Sequence, residues 1–120
     1  MLAKRNRLTK RGSFQYVYKK GAIKTDGALR LTYVCGKGTP RVGVSVPNTV
    51  GKAVRRNKVR RRIRAVMRAY VPRLRGAQLV ISARSGADKL SFAQLRDMID
   101  NLLRSSGLYA KKEDNAVARN

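Results

Sequence analysis

The sequence predicts an α+β protein, a single small domain in which helices pack as a sandwich against a central mixed sheet. Three observations predict it. Segments of helical period at 13–20, about 50–70 and 91–106 are interspersed with short runs of strand character at 28–35, 41–46 and 78–83. The length, 120 residues, suits one domain with a modest core. The hydrophobic share, 42%, is ordinary for a globular chain, so the protein is not expected to be wholly disordered. No internal repeat or linker divides the sequence. One domain is therefore expected over residues 1–120, with 1–10 a basic arm and 109–120 a flexible polar tail.

Each element has its own signal. After the arm, SFQYVYKK (13–20) places Phe14, Val17 and Tyr18 at i, i+3 and i+4 on one helical face, and Gly21 suits a C-terminal stop. Tyr16 lies off that face and is read as exposed. A polar loop containing Asp26 and Gly27 follows. ALRLTYVC (28–35) alternates Leu29, Leu31 and Tyr33 with Arg30, Thr32 and Val34, the period of a strand. GKGTP (36–40) reads as a turn and RVGVSV (41–46) as a second strand, so the two are expected to form a hairpin. The next helix starts between Thr49 and Lys52 and runs to about Tyr70, where Val71 and Pro72 end it. QLVISA (78–83) is a short apolar strand. Ser91 and Gln94 form a capping box, with Ser91 as N-cap and Gln94 at N3. The helix they open carries Leu95, Met98, Ile99, Leu102 and Leu103 on one face, and Gly107 closes it.

The charge sets the partner class. There are 29 Lys and Arg against 6 Asp and Glu, a formal net charge of +23. Such an excess repels itself in a compact fold and calls for a polyanion, either nucleic acid or an anionic membrane surface. The N-terminus, MLAKRNRLTKRG, lacks the apolar core of a signal peptide, and no run of about 18 apolar residues exists, so membrane insertion is not expected. Cys35 is the sole cysteine, which rules out an intramolecular disulfide and suits a cytoplasmic setting. Histidine is absent, removing Ser-His, Cys-His and His-metal chemistry. Between Asp26 and Asp88 there is no acid, and Asp88, Asp97 and Asp100 lie around the last helix. A two-metal nuclease needs clustered carboxylates, so neither a catalytic centre nor a metal site is expected in the chain itself.

The stretch AVRRNKVRRRIRAVMR (53–68) resolves when placed on a helix. Val59, Ile63, Val66, Met67 and Tyr70 form a core-facing stripe, while Arg56, Arg60, Arg64 and Arg68 form a second row with Asn57 and Arg61 beside it. A merely solvated charged face interleaves both signs, and here no acid lies within the helix to offset the arginines. The planar guanidinium, which can hold phosphate oxygens bidentately, makes this face a candidate nucleic-acid contact. Exposed aromatics from Phe14, Tyr16, Tyr18 and Tyr33 would suit stacking with unpaired bases, and core packing competes as an explanation for Phe14 and Tyr18. The glycines of the Gly36–Gly38 and Gly43 region match neither a dinucleotide fingerprint nor a Walker loop.

The run Arg56-Asn57-Lys58-Val59-Arg60-Arg61-Arg62-Ile63-Arg64 fits the pattern Arg-Asn-basic-x-basic-Arg-x-x-Arg on a helix. With RVGVSV and GKAVRRN leading into it, RNRLTKRGSFQYVYKKG before it, and LVISAR and LLRSSGLY after it, nearly the whole chain resembles the protein subunit of bacterial ribonuclease P. The resemblance implies an accessory subunit of an endoribonuclease that removes the 5′ leader of precursor tRNA, with the active site and its Mg²⁺ in the RNA. It implies ribonuclease P RNA contacts at Arg56, Asn57, Lys58, Arg60, Arg61 and Arg64, with Arg68 continuing the row. It implies a leader cleft that includes Phe14, Tyr18 and Tyr33. Lys58 and Arg60 stand where the family often has Arg and Lys. The resemblance also implies a ribosomal-protein-like topology with a left-handed βαβ crossover ahead of the basic helix, against the right-handed default. A small basic ribosomal protein or other structural RNA-binding protein is the competing reading. A protein-only nuclease is a weaker one, because it lacks ligands.

Overall fold

The computed structural model describes residues 6–8, 11–36 and 38–109. Three helices, α1 (Arg11–Lys20), α2 (Ala53–Tyr70) and α3 (Phe92–Ser105), pack on a four-stranded sheet of β1 (Ala22–Asp26), β2 (Leu29–Cys35), β3 (Arg41–Ser45) and β4 (Ala77–Ala83). The strand order is β1-β2-β4-β3, with β1–β2 and β2–β4 antiparallel and β3–β4 parallel. The sheet is thus mixed, and α2 lies within the crossover that joins its parallel pair.

β4 holds the centre because it is apolar on both faces. Leu79 and Ile81 face one side and Val80 the other, and all three are fully buried, as a strand covered on both sides requires. That placement corrects the expected hairpin. β2 and β3 are neighbours in sequence, but β4 inserts between them and takes up the ladder of each. The hairpin instead joins β1 to β2 through Asp26 and Gly27, where the polar loop was expected. β1 is an exposed edge strand, so it buries no apolar face and leaves little alternation to read. Gly27 turns the chain with φ +56, and a side chain there would also strike the Met98 methyl.

Sheet parity divides the core in two. Leu29, Leu31, Leu79 and Ile81 pack against Val59, Ile63 and Met67 of α2 and Leu95, Ile99 and Leu103 of α3. Each such side chain contributes about 1.5–3 kcal/mol on burial, so this layer dominates the stability. On the opposite face, the buried apolar cluster among the described residues is Leu8, Val17 and Val80, with Phe14 packed against them. α1 therefore rests on a small apolar island.

The helix ends follow local chemistry. Ser91 Oγ accepts from the Gln94 backbone N–H at 3.1 Å and Gln94 Oε1 accepts from Ser91 N–H at 2.8 Å, the capping box expected from sequence. α2 has neither a side-chain cap nor an acid in its first turn. The readings of a basic arm and a polar, flexible tail fall largely on residues 1–5, 9–10 and 110–120, outside the described residues. Tyr109, placed with the tail from sequence, is in fact 3% exposed, and its hydroxyl donates to Asp100 Oδ1. Arg73 and Arg104 lie 4.8 and 5.2 Å from its ring centroid, so an aromatic ring between cations closes the domain. Within the arm, Leu8 N–H donates to the Val42 carbonyl at 2.8 Å and Arg7 bridges to Val42, extending the edge of β3.

Candidate nucleic-acid interface

α2 presents its arginines as a consequence of what it buries. Val59, Ile63, Val66 and Met67 are at most 2% exposed, and Tyr70 packs half-buried beside them. This fixes the rotation of the helix and turns Asn57, Arg61 and Arg68 outward, with Arg56, Arg60 and Arg64 half-buried along one flank. Asn57, Arg60, Arg61 and Arg64 line a shallow recess of about 450 Å³ with the exposed Val54. Arg60 Nη1 donates to Asn57 Oδ1 at 2.8 Å, so the asparagine holds a guanidinium in place. Arg56 Nε is buried with no hydrogen-bond partner. Partial burial first, then the charges of Arg60 and Arg7, push the Arg64 guanidinium below its ordinary pKa. Like charges are thus crowded along this flank with no acid in the helix to offset them, and a phosphate would relieve that repulsion.

The other flank of α2 serves the fold, which sequence alone did not reveal. Arg55 Nη1 pairs with Asp88 Oδ2 at 3.1 Å, and the carboxylate side chain is 8% exposed. Arg62 Nη1 donates to the Leu90 carbonyl at 2.8 Å. Both ties run to the segment around a 3-10 turn at Ala87–Lys89, so they clasp the basic helix to the start of α3. Lys58 is exposed near this clasp, where Arg55, Lys58 and Lys89 surround Asp88. Arg55 and Arg62 looked from sequence like the other arginines; only their distant partners distinguish them.

Phe14 and Tyr18 meet on α1 with ring centroids 6.4 Å apart. Phe14 lies directly on β3, since a Cβ at Gly43 would fall 2.6 Å from two of its ring carbons. Tyr18 is 47% exposed and Tyr16 49%, so Tyr18 extends the aromatic surface outward from the docked Phe14. Tyr33 does not join them. It pairs with Leu79 in the ladder and packs on the α2–α3 core, so strand alternation carries it to the opposite face of the sheet. The β2 residues on the α1 side are Arg30, Thr32 and Val34. Farther along that face, Arg30, Ser45, Ser82 and Arg84 line a polar recess of about 400 Å³. The alternation of Arg30 and Thr32 against Leu29 and Leu31 was the signal for these positions.

Among the described residues, no group of three or more histidine, cysteine or acidic side chains could hold a metal ion. No helix among them is long and apolar enough to cross a membrane. A fixed row of guanidiniums on one helix and an aromatic, polar sheet face on another element together suit an RNA with both paired and unpaired parts.

The family described as Ribonuclease P matches residues 2–107. The chain belongs to the ribonuclease P protein family. It is similar to the ribonuclease P protein component of Clostridium kluyveri, 35% identical over 107 residues that cover 86% of this chain and 96% of the relative. The component from Bacillus velezensis is 36% identical over 113 residues, covering 92% and 97%. Among solved structures, the ribonuclease P protein from Staphylococcus aureus superposes with a TM-score of 0.78 at 27% identity, over 92% of this chain and 97% of that one. A ribonuclease P protein component is a subunit of an endoribonuclease holoenzyme with an RNA partner, which accounts for the charge of +23. These matches favour that reading over a ribosomal or other structural RNA-binding protein.

Proposed function

We propose that this ribonuclease P protein seats the Arg56–Arg68 flank of α2 on the ribonuclease P RNA, while the α1 face of the sheet holds the single-stranded 5′ leader of precursor tRNA. The observation that carries the proposal is the division of labour between the faces. The crowded, partly desolvated arginines of α2 present phosphate-binding groups on a fixed scaffold, and Phe14 and Tyr18 offer stacking surface on the far side of the sheet. Arg60, Arg61, Arg64 and Arg68 would neutralise RNA phosphates and release counterions. Phe14 and Tyr18 would add contacts that exist with precursor and not with mature tRNA, raising substrate over product affinity. In this reading Mg²⁺ and the cleavage step would lie with the RNA, and no chemical step would fall to a side chain of the protein. The holoenzyme would act in the cytoplasm, where its RNA partners are made.

Reconstitution with a bacterial ribonuclease P RNA at low Mg²⁺ tests this. The protein should restore 5′ cleavage of precursor tRNA, because its cations replace part of the screening the ion supplied. Failure to restore cleavage, or cleavage by the protein with no RNA present, would contradict the proposal.

A further inference from the structure

A slot between α2 and α3 lies apart from both surfaces assigned above. It is lined on α2 by the exposed Ala65 and Ala69, the buried Val66 and the half-buried Tyr70, and by Phe92 at the start of α3. Arg73 and Arg96 also line it, and this partly open recess has a volume of about 200 Å³. Phe92 is 43% exposed although it is the largest apolar side chain of its helix, so the fold leaves it unburied. It follows the Ser91 cap, and the α3 core stripe of Leu95, Ile99, Leu102 and Leu103 closes without it. Arg73 already lies 5.6 Å from the Tyr70 ring centroid, and the Arg96 side chain is half exposed beside Asp97.

We propose that this slot receives an unpaired nucleobase of the ribonuclease P RNA, stacked against Phe92, with its flanking phosphates on Arg96 and Arg73. A recess that combines two aromatic side chains with two exposed alanines offers apolar surface on which a base can stack, and its arginines favour an occupant that carries negative charge. The chain as a whole carries a formal net charge of +23, which disfavours a basic protein partner. Position chooses between the two RNAs. Ala65 lies one turn from Arg61 and Arg68 on α2, so an RNA lying along the arginine row reaches the slot, while the face proposed for the leader lies across the sheet. The inference rests on the proposed seating of α2 on the ribonuclease P RNA.

The test is binding of the full chain to a bacterial ribonuclease P RNA, measured across a series of salt concentrations, with cleavage of precursor tRNA by the holoenzyme measured in parallel. Phe92→Ala should weaken RNA binding about tenfold at every salt concentration, because it removes stacking and no charge. Phe92→Trp should retain binding. Ala69→Leu, which fills the slot from an exposed helix position, should reproduce the loss with thermal unfolding unchanged. Arg96→Ala should weaken binding and also flatten the salt dependence by about one phosphate contact. Wild-type RNA affinity in both Phe92→Ala and Ala69→Leu overturns the inference. So does a loss confined to precursor-tRNA binding, which would make the substrate the occupant. Arg60→Ala separates the two levels: an unchanged salt slope there removes the α2 seating itself, whereas a flattened slope with silent slot variants removes only the slot.

Discussion

Asn57 Oδ1 accepts a hydrogen bond from Arg60 Nη1 at 2.8 Å across one turn of α2. A neutral acceptor set among cations thereby fixes the guanidinium next to it, and most of the entropy of ordering that long side chain is lost before any RNA arrives. Freeing the side chain moves that cost into binding, about 0.5–1.5 kcal/mol per immobilised side chain. Asn57→Ala is therefore expected to weaken binding of ribonuclease P RNA by a few fold to about tenfold while leaving the salt slope unchanged, since no charge is lost. Arg60→Ala should instead make the slope shallower by about 0.7–0.9. Titrations over a salt series distinguish the two, and a changed slope in Asn57→Ala would count against a positioning role.

Phe14 rests on Gly43, where no side chain could fit without displacing the ring. Gly43→Ala should destabilise the fold by about 1–3 kcal/mol, the usual cost of forcing an extra methyl into a packed contact. Phe14→Ala vacates the space, so the double variant should lose less stability than the two single losses added together. Urea unfolding measures this. In binding, Phe14→Ala is expected to weaken precursor tRNA and leave mature tRNA unaffected; equal losses for both would remove Phe14 from the leader surface.

The helical parts of this architecture were legible because each carries its own instruction. The Val59–Ile63–Val66–Met67 stripe and the Ser91–Gln94 box are local patterns, and both appear where their spacing puts them. What escaped depends on pairing between distant segments. Nothing within 28–46 shows that β4, some forty residues on, will separate β2 from β3. β1 stays silent because an edge strand need not bury either face. The alternation of β2 already groups Tyr33 with Leu29 and Leu31, and its register with Leu79 puts that face on the α2–α3 core, so it was the resemblance and not the local pattern that had drawn Tyr33 into the cleft. Arg55 and Arg62 are chemically identical to their neighbours, and only Asp88 and the Leu90 carbonyl make them structural.

The Arg55–Asp88 pair is asymmetric, with side chains 64% and 8% exposed. Its two halves should therefore respond differently to truncation. Arg55→Ala strands a carboxylate away from water and should cost about 1–3 kcal/mol, the penalty for an unsatisfied buried group. Adding Asp88→Asn should recover part of that loss by removing the charge. The arginine is largely solvated, so the direct attraction contributes little, about 0–1 kcal/mol. Chemical denaturation of the two single variants and the double variant measures the coupling; no recovery in the double variant would show that Asp88 does not depend on Arg55.

Asp100 links the last helix to the C-terminal aromatic. Burial alone would raise its pKa, but the hydrogen bonds from Tyr109 and from Arg104 Nε at 3.1 Å, with the charges of Arg104 and Arg73, carry it below the ordinary carboxylate value. Because the folded pKa lies below the unfolded one, about 3.9, the ionised carboxylate stabilises the protein above that pH. The contribution is then lost as pH falls through the folded value. Asp100→Asn should reduce stability at pH 7 by about 1–2 kcal/mol, in keeping with a charged hydrogen bond at a partly exposed site. It should also flatten the decline in stability between about pH 4 and the folded pKa. Tyr109→Phe removes one of the two stabilising hydrogen bonds and should flatten the same limb less. Burial, then its bond to Asp100, pushes the Tyr109 pKa well above that of a free tyrosine, so the hydroxyl remains a donor throughout this range. Urea midpoints measured from pH 2.5 to 7 for the three proteins decide the matter. An acid limb in Asp100→Asn as steep as that of the unmodified chain would show that other carboxylates control it.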